Sequence, residues 1–171
     1  MDTFNEFEAE SQKAKLIRAI KPDRNLSNLP SLLSKPKKVL LIVPPGTVEE
    51  SYGRLSAAAG ELPMLGIAYI ASSLIDQGHN VEIIDYEVTR ESLEDVETDI
   101  KRIKPDVIGM TAYITNMKRC AAVCSLAKKI DSNIITILGG PQVTIFPDEA
   151  FLSKDVDIVV LSEGEIIIRN V

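Results

Sequence analysis

A chain of 171 residues, 45% hydrophobic and 26% charged, has the size and composition of one globular domain, long enough to bury roughly 70% of its unfolded surface without a disulfide or structural metal. Its 19 Lys and Arg against 25 Asp and Glu leave a formal charge of −6 with no dense basic run, which argues against nucleic acid as a partner. No apolar run reaches the ~18 residues of a membrane span, and the start MDTFNEFEAE is acidic where a signal peptide is basic, so a membrane partner is not expected and the cytoplasm is the expected compartment.

Residues 1–36 are charged, are punctuated by Pro22, Pro30 and Pro36, and hold one short amphipathic stretch from Ala14 to Ile20. They read as a helical N-terminal extension and linker, and residues 37–171 as an α/β domain. Five short apolar runs follow: VLLIV at 39–43, VEIID at 81–85, DVIGM at 106–110, IITIL at 134–138 and DIVVL at 157–161. Between them lie helical periodicities. Met64, Ile67, Ala68, Ala71 and Ile75 mark one face; Leu93, Val96, Ile100 and Ile103 a second; Met117, Cys120, Ala121, Cys124 and Ala127 a third. Pro63 suits a first helical turn, Gly78 a helix end, and Lys104-Pro105 stops the second helix. Strands that are apolar on both sides need cover on both faces, so the expected fold is an open, doubly wound, parallel five-stranded sheet of the flavodoxin-like or Rossmann-like kind. The first interval between strands is the longest. Its excess, residues 44–61, follows the first strand at the carboxyl edge, where such sheets bind ligands.

Three further loops reach that edge. Gly139-Gly140-Pro141-Gln142 follows the fourth run, and two adjacent glycines there make either a tight turn or bare backbone for a ligand to lie against. Thr111 to Thr115 is mostly small and hydroxylated, and Ser162-Glu163-Gly164-Glu165 follows the fifth run. The acids and lysine of a phosphorylation receiver are missing from their places, PPGTVEESYG after the first strand supplies only Thr47 and Ser51 as aliphatic hydroxyls, among carboxylates that would repel a flavodoxin's phosphate, and no GxGxxG fingerprint follows that strand. Asp85 stands where related folds hold a ribose and equally suits a turn or helix cap. His79, the single histidine, falls in a helix-to-strand turn at the opposite edge and reads as structural; Glu49-Glu50 reads as a solvated loop.

Taken in order, ELPMLGIAYIASSL from Glu61 to Leu74, GHNVEIID from Gly78 to Asp85, KPDVIGMTAYIT from Lys104 to Thr115, GGPQVT from Gly139 to Thr144 and DIVVLSEGE from Asp157 to Glu165 resemble the cobalamin-binding domain that precedes the catalytic barrel of many radical S-adenosylmethionine enzymes. The likeness covers about residues 38–165. It implies a corrinoid at the carboxyl edge whose nucleotide tail runs beside the sheet. The implied contacts are Leu65 and Gly66, Thr111, Ala112, Tyr113 and Thr115, Gly139, Gly140, Pro141 and Gln142, and Ser162, Glu163 and Gly164. On this reading a valine at Gly140 removes binding and leaves the fold largely intact. Better-known cobalamin carriers place a DxHxxG motif after the first strand, but residues 44–61 contain no histidine, so the implied corrinoid is base-off with no protein imidazole on cobalt. The loop holding Tyr52 and Leu55 is expected to cover its lower face.

The resemblance also implies a methyltransferase-like parent whose 4Fe-4S cluster and S-adenosylmethionine sit in a barrel beyond this chain, acting in cis or in trans. The chain alone is then expected to bind and not to catalyse, whether as a fragment, an excised domain or a stand-alone carrier. Cys120 and Cys124 match the first two positions of a CxxxCxxC cluster motif, but the third is Ala127 and both lie on an apolar helical stripe, so core filling is the expectation and no metal ligand is assigned. The competing reading is a ligand-free doubly wound domain with an assembly or regulatory role.

Overall fold

All five predicted strands pair in one parallel sheet: β1 (Lys38–Val43), β2 (Asn80–Asp85), β3 (Val107–Thr111), β4 (Ile135–Gly139) and β5 (Ile158–Val159), in the order β2-β1-β3-β4-β5. This computed structural model describes residues 35–46, 64–89, 92–161 and 164; residues 1–34 of the predicted extension, most of the 44–61 loop, Pro63, Ser162, Glu163 and Glu165 lie outside the described residues. The register follows from the alternation of side chains across the pleat. Leu40, Ile42, Ile108, Met110, Leu138 and Val159 face one core; Val39, Leu41, Val43, Val107, Ile137 and Ile158 face the other.

The first core is covered by α3 (Leu93–Ile103) and α4 (Met117–Ile130), the second, among the described residues, by α1 (Leu65–Asp76). A single turn, α2 (Tyr86–Thr89), precedes α3. No helix among the described residues is long and apolar enough to cross a membrane.

Helix existence follows the predicted pattern, while helix rotation departs from it. The buried stripe of α1 is Ile67, Ala71 and Leu74, and the predicted Ala68 and Ile75 are exposed. In α4 the stripe is Cys120, Val123, Cys124 and Ala127, with Met117 and Ala121 only half-buried; in α3 Leu93 stands at the exposed first turn. A stripe spaced i, i+3, i+4, i+7 can slide by one residue without losing apolar character, so the rotation is decided by what the sheet offers beneath it.

The fourth connection differs most. No helical face is marked there in the sequence, and it holds two short helices, α5 (Pro141–Ile145) and α6 (Pro147–Ala150), because Pro147 cannot continue α5 and starts a new turn. β5 is shorter than its DIVVL run, since Asp157 is buried as a polar anchor below it: its carboxylate accepts the Lys128 ammonium at 2.5 Å and the Thr136 N–H at 2.9 Å.

Asp85 takes the capping role. Its Oδ1 accepts the N–H groups of Glu87 and Val88, each at 3.1 Å, and so starts α2. Cys120 and Cys124 are fully buried, and burial pushes both thiols up to about 12, which keeps them protonated and inert as core fillers.

Candidate functional site

In this strand order the chain leaves β1 toward β2 and returns across β1 to β3, so the loops after β1 and β3 part at the carboxyl edge, the place where open α/β sheets bind ligands. Below that point runs a cavity of about 540 Å³, within the range of small-molecule sites. It lies on the sheet face that α1 covers only in part. Leu41, Ile137 and Val160 form its sheet wall and Ile67 and Ile70 its helix wall.

The polar lining residues are confined to the two ends. Thr111 and Tyr113 stand at the carboxyl edge, and Lys37, Gln77 and His79 at the amino edge. Among the described residues, everything between is aliphatic, Met110 or glycine.

Glycines keep this groove open. Gly109 and Gly139 sit two residues from Val107 and Ile137 on their strands and therefore face the same side. A Cβ on Gly139 would meet only Val160 at 3.8 Å, and one on Gly66 would meet nothing within 4 Å, so both leave vacant space that a ligand can use. A Cβ on Gly109 would meet the end of the Leu41 side chain at 2.8 Å.

Gly140 is different in kind. Its φ of +100 belongs to glycine, and a Cβ there would lie 2.9 Å from the Ala112 carbonyl oxygen and 2.7 Å from Thr111 Cγ2. The expectation that valine at Gly140 spares the fold is therefore corrected: the paired glycines divide the two roles, Gly140 making the turn and Gly139 the bare wall. The turn is tied down on both sides, since Ala112 N–H donates to the Gly139 carbonyl at 2.7 Å and Gln142 N–H to the Ala112 carbonyl at 3.1 Å.

Of the residues singled out from sequence, Gly66, Thr111, Tyr113, Gly139, Gly140, Pro141 and Gly164 line the cavity. Ala112 is buried in the opposite core, Leu65 and Thr115 are exposed beyond the lining, and the Gln142 side chain donates to Glu149 at 2.6 Å. Ser162 and Glu163 fall outside the described residues.

Two residues escaped sequence reasoning. Gly109, alone inside an apolar strand, is the pattern that signals close approach of another group. Asn116, just before α4, is buried and reaches back into the edge loop: its Oδ1 accepts the Tyr113 N–H at 2.7 Å and its Nδ2 donates to the Thr111 carbonyl at 3.1 Å. That amide holds the loop in place of a helix cap. Asn116→Ala removes both bonds and leaves their partners under-satisfied, so we expect a loss of about 1–3 kcal/mol in stability, read by urea denaturation, and faster amide exchange at Tyr113.

A family model described as "B12 binding domain" matches residues 53–171. An uncharacterized methyltransferase of Pyrococcus horikoshii is 34% identical over 137 residues, which cover 80% of this chain and 29% of that protein. A cobalamin-dependent radical SAM methyltransferase of Streptomyces tokunonensis is 32% identical over 69 residues, 40% of this chain and 10% of its own length. Among solved structures, the cobalamin-dependent S-adenosylmethionine radical enzyme OxsB, with aqua-cobalamin and S-adenosylmethionine bound, aligns with a TM-score of 0.64 at 20% identity over 84% of this chain and 19% of that one, a likeness of fold. The chain thus spans less than a third of the length of these relatives.

Proposed function

The chain belongs to the B12-binding domain family, and from that premise we propose that it holds a corrinoid at the carboxyl edge of its sheet with the nucleotide tail lying in the groove between α1 and strands β1, β3 and β4. The observation that carries this reading is the groove itself. It opens at the topological switch point, its walls are aliphatic, and Gly66 and Gly139 leave room for an inserted group.

Within such a complex the aliphatic walls exclude water from the tail, and Thr111 and Tyr113 meet the polar groups at its upper end. Asn116 fixes those two residues in advance, so less ordering entropy is lost on binding. A corrinoid, when bound, supplies cobalt-centred methyl-group chemistry.

The base-off assignment is part of the proposal. The single histidine, His79, sits at the amino edge, at the other end of the sheet from the loops that would face the corrin, and residues 44–61 carry none. A partner is proposed on similar grounds. Leu65, Ile114, Ile145 and Phe146 follow the carboxyl ends of their strands and are 52–79% exposed, an apolar rim suited to the barrel of a radical S-adenosylmethionine enzyme in cis or in trans. The relatives' methyltransferase names support a methyl-transferring parent.

The chain is to be mixed with hydroxocobalamin and freed of unbound vitamin by gel filtration. Retention of the corrinoid spectrum in near one-to-one ratio is the expected result; a colourless eluate selects the ligand-free scaffold instead. In the same sample after reduction, the paramagnetic resonance signal is expected without axial nitrogen splitting, and a nitrogen triplet would overturn the base-off assignment.

A further inference from the structure

The far end of the groove has its own chemistry. Lys37, Gln77 and His79 stand there together because β1 and β2 start side by side and α1 ends above them: Gln77 caps α1, His79 leads into β2 and Lys37 into β1. The Lys37 N–H donates to His79 Nδ1 at 3.1 Å. With Nδ1 engaged as an acceptor, the neutral ring carries its proton on Nε2, and the protonated ring carries one there as well, so Nε2 is a donor in either state. Between these residues and the mouth the described lining residues offer no polar side chain.

We infer that this groove reads the terminal base of the tail it holds, favouring a benzimidazole-type base, apolar along its flanks with one acceptor nitrogen for the donors at the amino-terminal foot, over a purine. The inference rests on the corrinoid reading above and deepens it. A base passing the aliphatic middle must shed its water. The methylated carbocycle of dimethylbenzimidazole loses nothing by that, whereas an adenine takes an exocyclic amino group and additional ring nitrogens into a wall that cannot pair them. A base-off benzimidazole also arrives with a ring nitrogen released from cobalt, and His79 Nε2 and Lys37 supply donors at the end where that nitrogen needs one.

Three corrinoids separate the possibilities: cobalamin, its analogue with adenine as lower base, and tail-less cobinamide, each titrated into the full chain and followed by absorbance. Cobalamin is expected to bind about tenfold or more tighter than the adenine analogue, the loss that one or two unpaired polar groups bring. Two substitutions at His79 then test the foot. In His79→Asn the side-chain oxygen takes the place of Nδ1 and keeps the Lys37 hydrogen bond, but nothing remains at the position of Nε2. Thermal stability should hold, cobalamin affinity should fall about fivefold to tenfold, and cobinamide affinity should not move. His79→Gln restores a donor near Nε2 and should recover most of the cobalamin affinity even where the turn is weakened. Equal affinities for the two tailed corrinoids, or unchanged cobalamin binding in a folded His79→Asn protein, would overturn the inference while leaving the corrinoid site standing. If cobinamide binds as tightly as cobalamin, or no corrinoid binds, the tail-in-groove reading itself falls and takes the inference with it.

Discussion

Gly139→Leu is expected to abolish corrinoid binding in a protein that remains folded, and Gly140→Val is expected to damage the fold itself. The two positions are adjacent, yet the cost lands in different places. Gly139 lies at the end of β4 with a backbone any residue adopts, and its Cβ would make only an ordinary 3.8 Å contact with Val160. A leucine there projects its remaining atoms into the groove, where among the described residues a Cβ meets only Val160. Affinity should fall by about 100-fold or more, because a rigid ring system cannot share that volume with a branched side chain. Stability should be unchanged or slightly raised, since a glycine in a strand gives up more conformational freedom on folding than leucine does.

At Gly140 the reverse holds. Valine is excluded from φ +100, and its Cβ would press on the Ala112 backbone, which is pinned by its bonds to Gly139 and Gln142. We expect a loss of about 3 kcal/mol or more, combining backbone strain with overpacking. Melting temperature and corrinoid titration measured side by side check both halves. A Gly139→Leu protein that binds cobalamin normally, or a Gly140→Val protein that melts like the parent, removes the assignment of wall and turn.

Much of this architecture was written in local patterns. Runs such as VLLIV, apolar on both sides of the pleat, demand helices above and below, and Gly78 and Pro105 punctuate them, so the parallel sheet and the edge carrying its loops are legible in the sequence. The loops at Thr111 and Gly139 were legible for the same reason: glycine and hydroxyl clusters directly after apolar runs. What local pattern could not carry was relative placement. The groove exists because α1 leans over only part of one sheet face, a property of packing between residues far apart in the chain, such as Ile67 and Ile137. That placement turned His79 from a turn residue at the wrong edge into a turn residue that also lines the far end of the cavity. Asn116 drew no notice in the sequence because an amide ahead of a helix carries no signal of its own there; its bonds run backward to Thr111 and Tyr113, and only the loop's fold sets that direction.

The second large effect concerns a pair no spacing rule would join. Lys128, near the end of α4, and Asp157, before β5, are 29 residues apart and only 10% and 4% exposed, with Nζ and Oδ2 2.5 Å apart. The ammonium also reaches the carbonyls of Ser132 and Ile134, and the carboxylate takes the Thr136 N–H while Asp157 N–H donates to the Thr136 hydroxyl at 3.1 Å. One side chain thus fastens the end of α4 to the starts of β4 and β5. In Lys128→Met the methylene volume is largely kept and the charge is not, leaving a buried carboxylate that has lost its counter-ion. The expected loss is about 3–5 kcal/mol, a third or more of the stability of many domains this size, visible as a lower urea midpoint at unchanged slope. Adding Asp157→Asn should recover part of it, because the neutral amide no longer needs the cation, although only its carbonyl oxygen, and not its NH2 group, can accept the Thr136 N–H. The pair stands on the α4 side of the sheet at its amino end, whereas the groove lies on the α1 side, so the fraction of Lys128→Met protein that remains folded should bind cobalamin with parental affinity. A weakened affinity in that folded fraction would mean that the two faces of the sheet are coupled, and the separation of stability from binding argued from the strand register would fail.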